Sequence, residues 1–317
     1  MQELTKKKSR EITVGLPRAF LYYRYDILWK TFFRELGVKT ICSPPTNRKI
    51  LEKGAALDMD ESCLSAKLYF GHVNELIDQC DYILIPRVVD FGVRRVMCTR
   101  FQSLYDLVEN IFPQYKNKFL IWNVDPWHGS DELHAFEKLG EELDISRKLS
   151  KKAYRKAKKA ADEFWKEKVK NQYAVLKEKG RKVLVVGHSY VLEDAYVGNR
   201  IFEYLEKQEI KVLRADIVNH DEALKKSQGV SPTLKWEISR ELVGGIEKYK
   251  NQVDGILLVS VYPCGPDALV DELIIQKYSD LPILQLVLDE QDGTAGIETR
   301  MESFLDIIDF KKKVANG

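Results

Sequence analysis

The chain has 317 residues, 44% of them hydrophobic and 31% charged, with a formal net charge of +2. This is the composition of a globular protein, and the near-neutral charge excludes a general pull toward nucleic acid or an anionic membrane. No apolar run approaches the roughly 20 residues needed to span a bilayer, and Met1 to Lys8 contains no apolar secretory segment, so a cytoplasmic protein is expected.

In chain order, Ile12-Thr13-Val14-Gly15 reads as a strand. Leu21, Leu28, Phe32, Phe33 and Leu36 then recur at helical spacing and stop at Gly37. Lys39 to Cys42, Tyr82 to Pro86 and Phe119 to Trp122 read as further strands, so this half predicts βαβ units and a parallel sheet. The stretch 131–180 is different. It is rich in lysine and alanine, has no proline and no glycine from Glu141 to Lys179, and predicts a long helix or helical hairpin. Its basic run, Lys151 to Lys159, reads either as a nucleotide-binding surface or as a solvated face bridging two domains; the low net charge favours the second. Strands resume at Lys182–Gly187, Lys211–Leu213, Ile256–Val259 and Leu281–Val287, with helices over 201–205, 236–249 and 297–308. The expected organisation is an α/β domain at 1–130, a helical connector at 131–180 and a second α/β domain at 181–317.

Three of the five cysteines follow strands or sit in loops after them. Cys264 lies in Pro263-Cys264-Gly265-Pro266-Asp267, just after an apolar run. Cys98 lies in the loop after the Tyr82 strand, and Cys63 in the connection after the Lys39 strand. Ligands of open parallel sheets bind beyond the carboxyl ends of the strands, so the three thiols can face one cleft. Soft thiolates from separate loops suit iron–sulfur ligation, whereas structural zinc sites usually draw on close cysteine pairs, absent from this sequence. From spacing alone the thiols are either ligands or buried apolar side chains. Cys42 and Cys80 read as core. Arg18, after the first strand, can neutralise a phosphate or a reduced cluster; Glu61 can supply a hydrogen bond or proton; Glu290 and Gln291 sit at the last strand-to-helix junction. His188 and Tyr190 follow a strand end and can touch the cleft. No G-x-x-x-x-G-K-[ST] motif occurs, which argues against P-loop ATP hydrolysis.

Val14-Gly15-Leu16-Pro17-Arg18, Ser43-Pro44-Pro45-Thr46-Asn47, Asp60-Glu61-Ser62-Cys63, Pro263-Cys264-Gly265-Pro266-Asp267 and Leu288-Asp289-Glu290-Gln291 together resemble one family. It is the group related to the 2-hydroxyacyl-CoA dehydratase activases, with the 2-hydroxyglutaryl-CoA dehydratase-like iron–sulfur proteins. The likeness is densest over 12–113 and 255–308. It implies two Rossmann-like (flavodoxin-like) parallel-sheet domains joined by the helical segment. It further implies a [4Fe–4S] cluster on Cys63, Cys98 and Cys264; on the reading of the residues above, Arg18, Glu61 and Glu290 are expected around it. The implied partner is a separate ATP-hydrolysing activase that delivers low-potential electrons. A small-molecule or acyl-CoA substrate and a homodimer are compatible with the likeness. Two departures stand out: Ser65 where relatives often carry proline, and Thr99-Arg100 where Pro-Lys is common.

The expected activity is therefore electron relay, or reduction of a small substrate as a reductase or dehydratase-related component. The competing expectation is a non-catalytic module that binds a small acyl-CoA-like molecule and holds no cluster. A zinc site is a third.

Overall fold

The computed structural model describes residues 12–93, 95–290 and 294–316. The amino-terminal segment and Gln291, both read above, lie outside the described residues.

The first half runs β1 (Thr13–Leu16), α1 (Tyr22–Glu35), β2 (Lys39–Cys42), α2 (Arg48–Leu57), α3 (Leu64–Leu76), β3 (Tyr82–Val88), α4 (Thr99–Gln102), α5 (Leu104–Ile111) and β4 (Phe119–Val124). Its strands form one parallel sheet in the order β2-β1-β3-β4. Two helices follow, α6 (Glu132–Glu142) and α7 (Arg147–Lys177). The second half runs β5 (Lys182–Val186), α8 (Ser189–Leu192), α9 (Asn199–Lys207), β6 (Lys211–Arg214), α10 (His220–Ser227), α11 (Glu237–Tyr249), β7 (Gly255–Val261), α12 (Gly265–Lys277), β8 (Ile283–Leu288) and α13 (Thr294–Asn316). Its sheet repeats the first, in the order β6-β5-β7-β8. The protein is thus an α/β molecule of two parallel-sheet domains, as the alternation of apolar runs predicted. Strands such as Gly255–Val261 are buried along their length because helices cover both faces of a parallel sheet.

The lysine-rich stretch is a hairpin. Asp144, at φ 57°, turns the chain between α6 and α7. The long α7 packs on α1 of one domain and β6 of the other. Trp165 Nε1 donates to the Val218 carbonyl at 3.0 Å, and Gln172 Nε2 donates to the carbonyls of Arg214 and Ile217. Its basic side is the outer, solvated one, with Lys151, Lys152 and Lys159 facing water or partly so.

α2 and α3 cross closely enough that only hydrogen fits at two positions. A Cβ on Gly54 would collide with the Lys67 carbonyl, and one on Gly71 with that of Ile50. This contact fixes α3, which carries Cys63 at its amino end and the buried Lys67 in its first turns.

One continuous apolar core runs from Leu16 and Phe32 in the first domain to Val259 and Phe304 in the second. Trp122 is fully buried, 5.4 Å edge-on from Trp29 and 5.7 Å from Phe136. Each such ring contributes on the order of 2–3 kcal/mol through burial. A second cluster, around Leu213, Val243 and Ile256, fills the far face of the second sheet. The seam between domains is therefore packed. Asp194 tightens it, accepting from Tyr23 Oη at 3.1 Å and from the Thr46 hydroxyl.

Candidate functional site

Loops from both domains meet at the seam. The Leu64 amide donates to the Tyr262 carbonyl at 3.0 Å, joining the Cys63 turn to the Cys264 turn. The Val96 amide donates to the Lys235 carbonyl, and the Glu237 amide to the Val96 carbonyl, joining the Cys98 loop to the start of α11. Each of the three cysteines precedes a helix: Cys63 α3, Cys98 α4 and Cys264 α12. The peptide bond between Tyr262 and Pro263 is cis.

The thiols share one environment. All three pack against the same core, and Cys98 and Cys264 line one small cavity with His188 and Tyr190. Burial raises the pKa of each: Cys98 is pushed up to about 11, and Cys63 and Cys264 also rise. Asp267 adds to all three shifts, and the Cys63 thiol to those of Cys98 and Cys264. Opposing this are Arg100 beside Cys63 and nearby backbone amides: Ala66 for Cys63, Arg100 and Phe101 for Cys98, and Asp267 for Cys264. Left to themselves these thiols are protonated at neutral pH, and a bound metal would supply the positive charge that ionises them.

Behind Cys264 lies a buried polar group that the sequence signalled only in part. His188 Nε2 stands 2.7 Å from Asp267 Oδ1, and Tyr190 stacks on the imidazole at 4.8 Å. Burial disfavours charge on this ring, yet Asp267 more than offsets it and raises the His188 pKa. Asp271, accepting from Ser260 and Gln285, is pushed up to about 6 by burial and by Asp267. Among the described residues, His188 Nδ1 and Asp267 Oδ2 are buried without a hydrogen-bond partner.

The other expected residues are distributed differently. Glu61 is exposed beside Ser62, whose hydroxyl accepts from Arg100 Nη2 at 2.6 Å. Glu290 accepts from Lys67 Nζ at 3.4 Å, and Lys67 also donates to the Asp60 carbonyl, so this pair braces the Cys63 turn from the second domain. Arg18 belongs to another cluster. Its amide donates to Ser43 Oγ, which lies 2.8 Å from His72 Nδ1, and its side chain faces Tyr22. Cys80 is buried and donates to the Leu76 carbonyl, and the half-buried Cys42 accepts from Tyr22 Oη.

The sequence assigns no role at the site to Arg100, Asp267 or Lys67, the first two appearing only within motifs. The signal for Asp267 was its place three residues after Cys264, in the first turn of a helix. Among the described residues, no three or more His, Cys, Asp or Glu side chains are grouped to hold a metal ion.

Residues 13–218 match the CoA enzyme activase uncharacterised domain (DUF2229). The chain belongs to this family. The match spans Cys63 and Cys98 and ends before Cys264, so one of the three candidate cysteines of this CoA enzyme activase-related chain lies beyond the matched segment. No curated protein matches the sequence. Among solved structures, the chain is similar to the SBP FpvC in complex with Ni2+ from P. aeruginosa, at 12% identity and TM-score 0.30, over 94% of this chain and 96% of that one. It is also similar to ZnuA, at 8% identity and TM-score 0.26, over 94% and 98%. Likenesses this weak carry no argument about function. No helix among the described residues is long and apolar enough to cross a membrane.

Proposed function

We propose that this chain is a [4Fe–4S] protein of an ATP-driven, low-potential electron-transfer system. It would accept electrons from a separate activase of the kind its family name indicates, and relay them or reduce a small substrate. The observation that carries the reading is the meeting of Cys63, Cys98 and Cys264, from three loops and two domains, around Tyr190 and Asp267. Such a set of soft donors, sheltered from water, is what cubane ligation requires. Each ligand of a cubane binds a different iron, so the thiols need not converge on one point as they would for a single ion. The cluster would supply one-electron redox chemistry.

This chain's own residues would then act around it. Arg100 and the amides of the adjoining helical turns stabilise negative charge on the sulfurs and so tune the potential. Asp267 opposes added negative charge and orients His188, whose ring can hold a proton within the same cavity. Lys67 and Glu290 hold the Cys63 turn in place from opposite domains.

The small cavity lined by Cys98 and Cys264 has a volume of about 20 Å³. Anaerobic reconstitution with iron and sulfide tests the reading. The expected product is brown, with about four irons per chain, and Cys264→Ser abolishes most of the visible absorbance. A colourless, iron-free protein after reconstitution would favour the alternative, a binding module with no cluster.

A further inference from the structure

A cavity of about 530 Å³ opens in the seam beside the thiols. Its floor is an ion network drawn from both domains. Arg24 grips Glu241 with both ends, Nη1 to Oε2 at 2.5 Å and Nη2 to Oε1 at 2.9 Å. Arg95 donates to Glu237 Oε1 from Nη2 at 2.7 Å and from Nε at 3.0 Å. His220 lies between them, Nε2 at 2.8 Å from Glu237 and Nδ1 at 3.2 Å from Glu241. Burial opposes charge on that ring, but the two carboxylates outweigh it and push its pKa up to about 9. At neutral pH the floor therefore carries three cations against two carboxylates.

Both carboxylates are already engaged by an arginine and the histidine. Arg95 keeps spare capacity: its Nε and Nη2 are engaged, while Nη1 makes no hydrogen bond among the described residues, and the side chain is 35% exposed. The remaining acids are occupied or peripheral. Glu132 accepts from Tyr154 Oη and pairs with Lys158, and Asp131 caps α6. Asp162, Asp221 and Lys166 are exposed at the mouth. The walls are apolar and aromatic, with Trp165 over Arg24 at 5.1 Å and Phe91 over Arg95 at 5.7 Å.

A guanidinium whose Nη1 is open to the cavity, beside a protonated histidine and flanked by aromatic rings, is suited to a carboxylate. We propose that this cavity binds a small organic acid, its carboxylate on Arg95 and its apolar body among Tyr25, Phe91 and Trp165. Met97, Glu237 and Ile238 line both this cavity and the small one holding Cys98 and Cys264, so the bound acid lies next to the thiols. That such an acid is the substrate of the centre rests on the function proposed above; its binding does not.

Isothermal titration of the full chain, both iron-free and reconstituted, with 3-phenylpropionate and with the uncharged 3-phenylpropanamide tests this. The acid should bind saturably to both forms, with the amide about tenfold or more weaker because the guanidinium loses its anion. Arg95→Gln, checked for folding by circular dichroism, should weaken the acid to the level of the amide. Should that variant fail to fold, the acid–amide comparison on the unaltered protein decides. Equal binding of acid and amide, or binding of neither, overturns the proposal. A protein that binds the acid but takes up no iron supports this inference and removes only the cluster. A reconstituted brown protein indifferent to the acid removes only this inference.

Discussion

His188 and Asp267 form a buried pair, 2.7 Å between Nε2 and Oδ1, that ties the loop after β5 to the first turn of α12. Because Asp267 raises the His188 pKa, the pair's stabilisation is complete below the ordinary histidine value of 6.5 and fades as pH rises through the folded value. Asp267→Asn should cost about 1–3 kcal/mol at pH 6 and distinctly less at pH 9. Urea unfolding at the two pH values measures this; equal losses would mean that the charged pair is not what stabilises the site.

The ion network on the cavity floor makes a second pH prediction. Glu237 and Glu241 raise His220 from 6.5 to about 9, so between those values the folded chain keeps a proton that the unfolded chain has released. Stability should fall across this window by up to about 3 kcal/mol. His220→Gln should flatten that limb of the curve, read from denaturant midpoints at pH 6.5, 7.5 and 9.

His72 acts in the opposite direction on the acid side. It is fully buried, 2.8 Å from Ser43 Oγ and 2.9 Å from Thr46 Oγ1. Burial and the nearby Arg18 lower its pKa from 6.5 to about 3. Over that window unfolding takes up a proton, so stability should drop as pH falls below 6.5. His72→Gln should remove this dependence while costing about 1–3 kcal/mol at pH 7 through its lost hydrogen bonds.

At the α2–α3 crossing, Gly71→Ala drives a methyl group into the Ile50 carbonyl. Backbone cannot yield as a flexible side chain does, so a loss of about 1–3 kcal/mol or more is expected. Gly229→Ala, whose new Cβ would sit 3.5 Å from the Lys226 carbonyl, should change the melting temperature little. Comparable shifts in the two variants would show that the crossing tolerates separation.

The sheets were legible because their strands are near-continuous apolar runs, Tyr82–Val88 and Gly255–Val261 above all. The α7 hairpin was legible from composition. The crowded connection through α2 and α3 was not: its helices meet through glycines, and α3, buried on nearly every face, presents no single apolar stripe. At the site, strand ends indicated where Cys98 and Cys264 stand. Arg18 follows a strand end too, yet turns toward Tyr22 and the Ser43 cluster, a choice made by side-chain packing that no local pattern encodes. Asp267 and Arg100, legible only as parts of motifs, carried no role in the sequence for the same reason, since their contacts lie far away in the chain.

The positions of the three cysteines along the chain also set an order of events. Cys63 and Cys98 belong to the first domain, and Cys264 arrives only after β5, β6 and β7 have been laid down. While the first domain is being synthesised it has two of the three sulfurs and none of the His188–Asp267 wall. A cluster held by all three thiols, as proposed above, could therefore be completed only once Cys264 has been made, and a fragment ending with the family-matched segment at residue 218 lacks that cysteine.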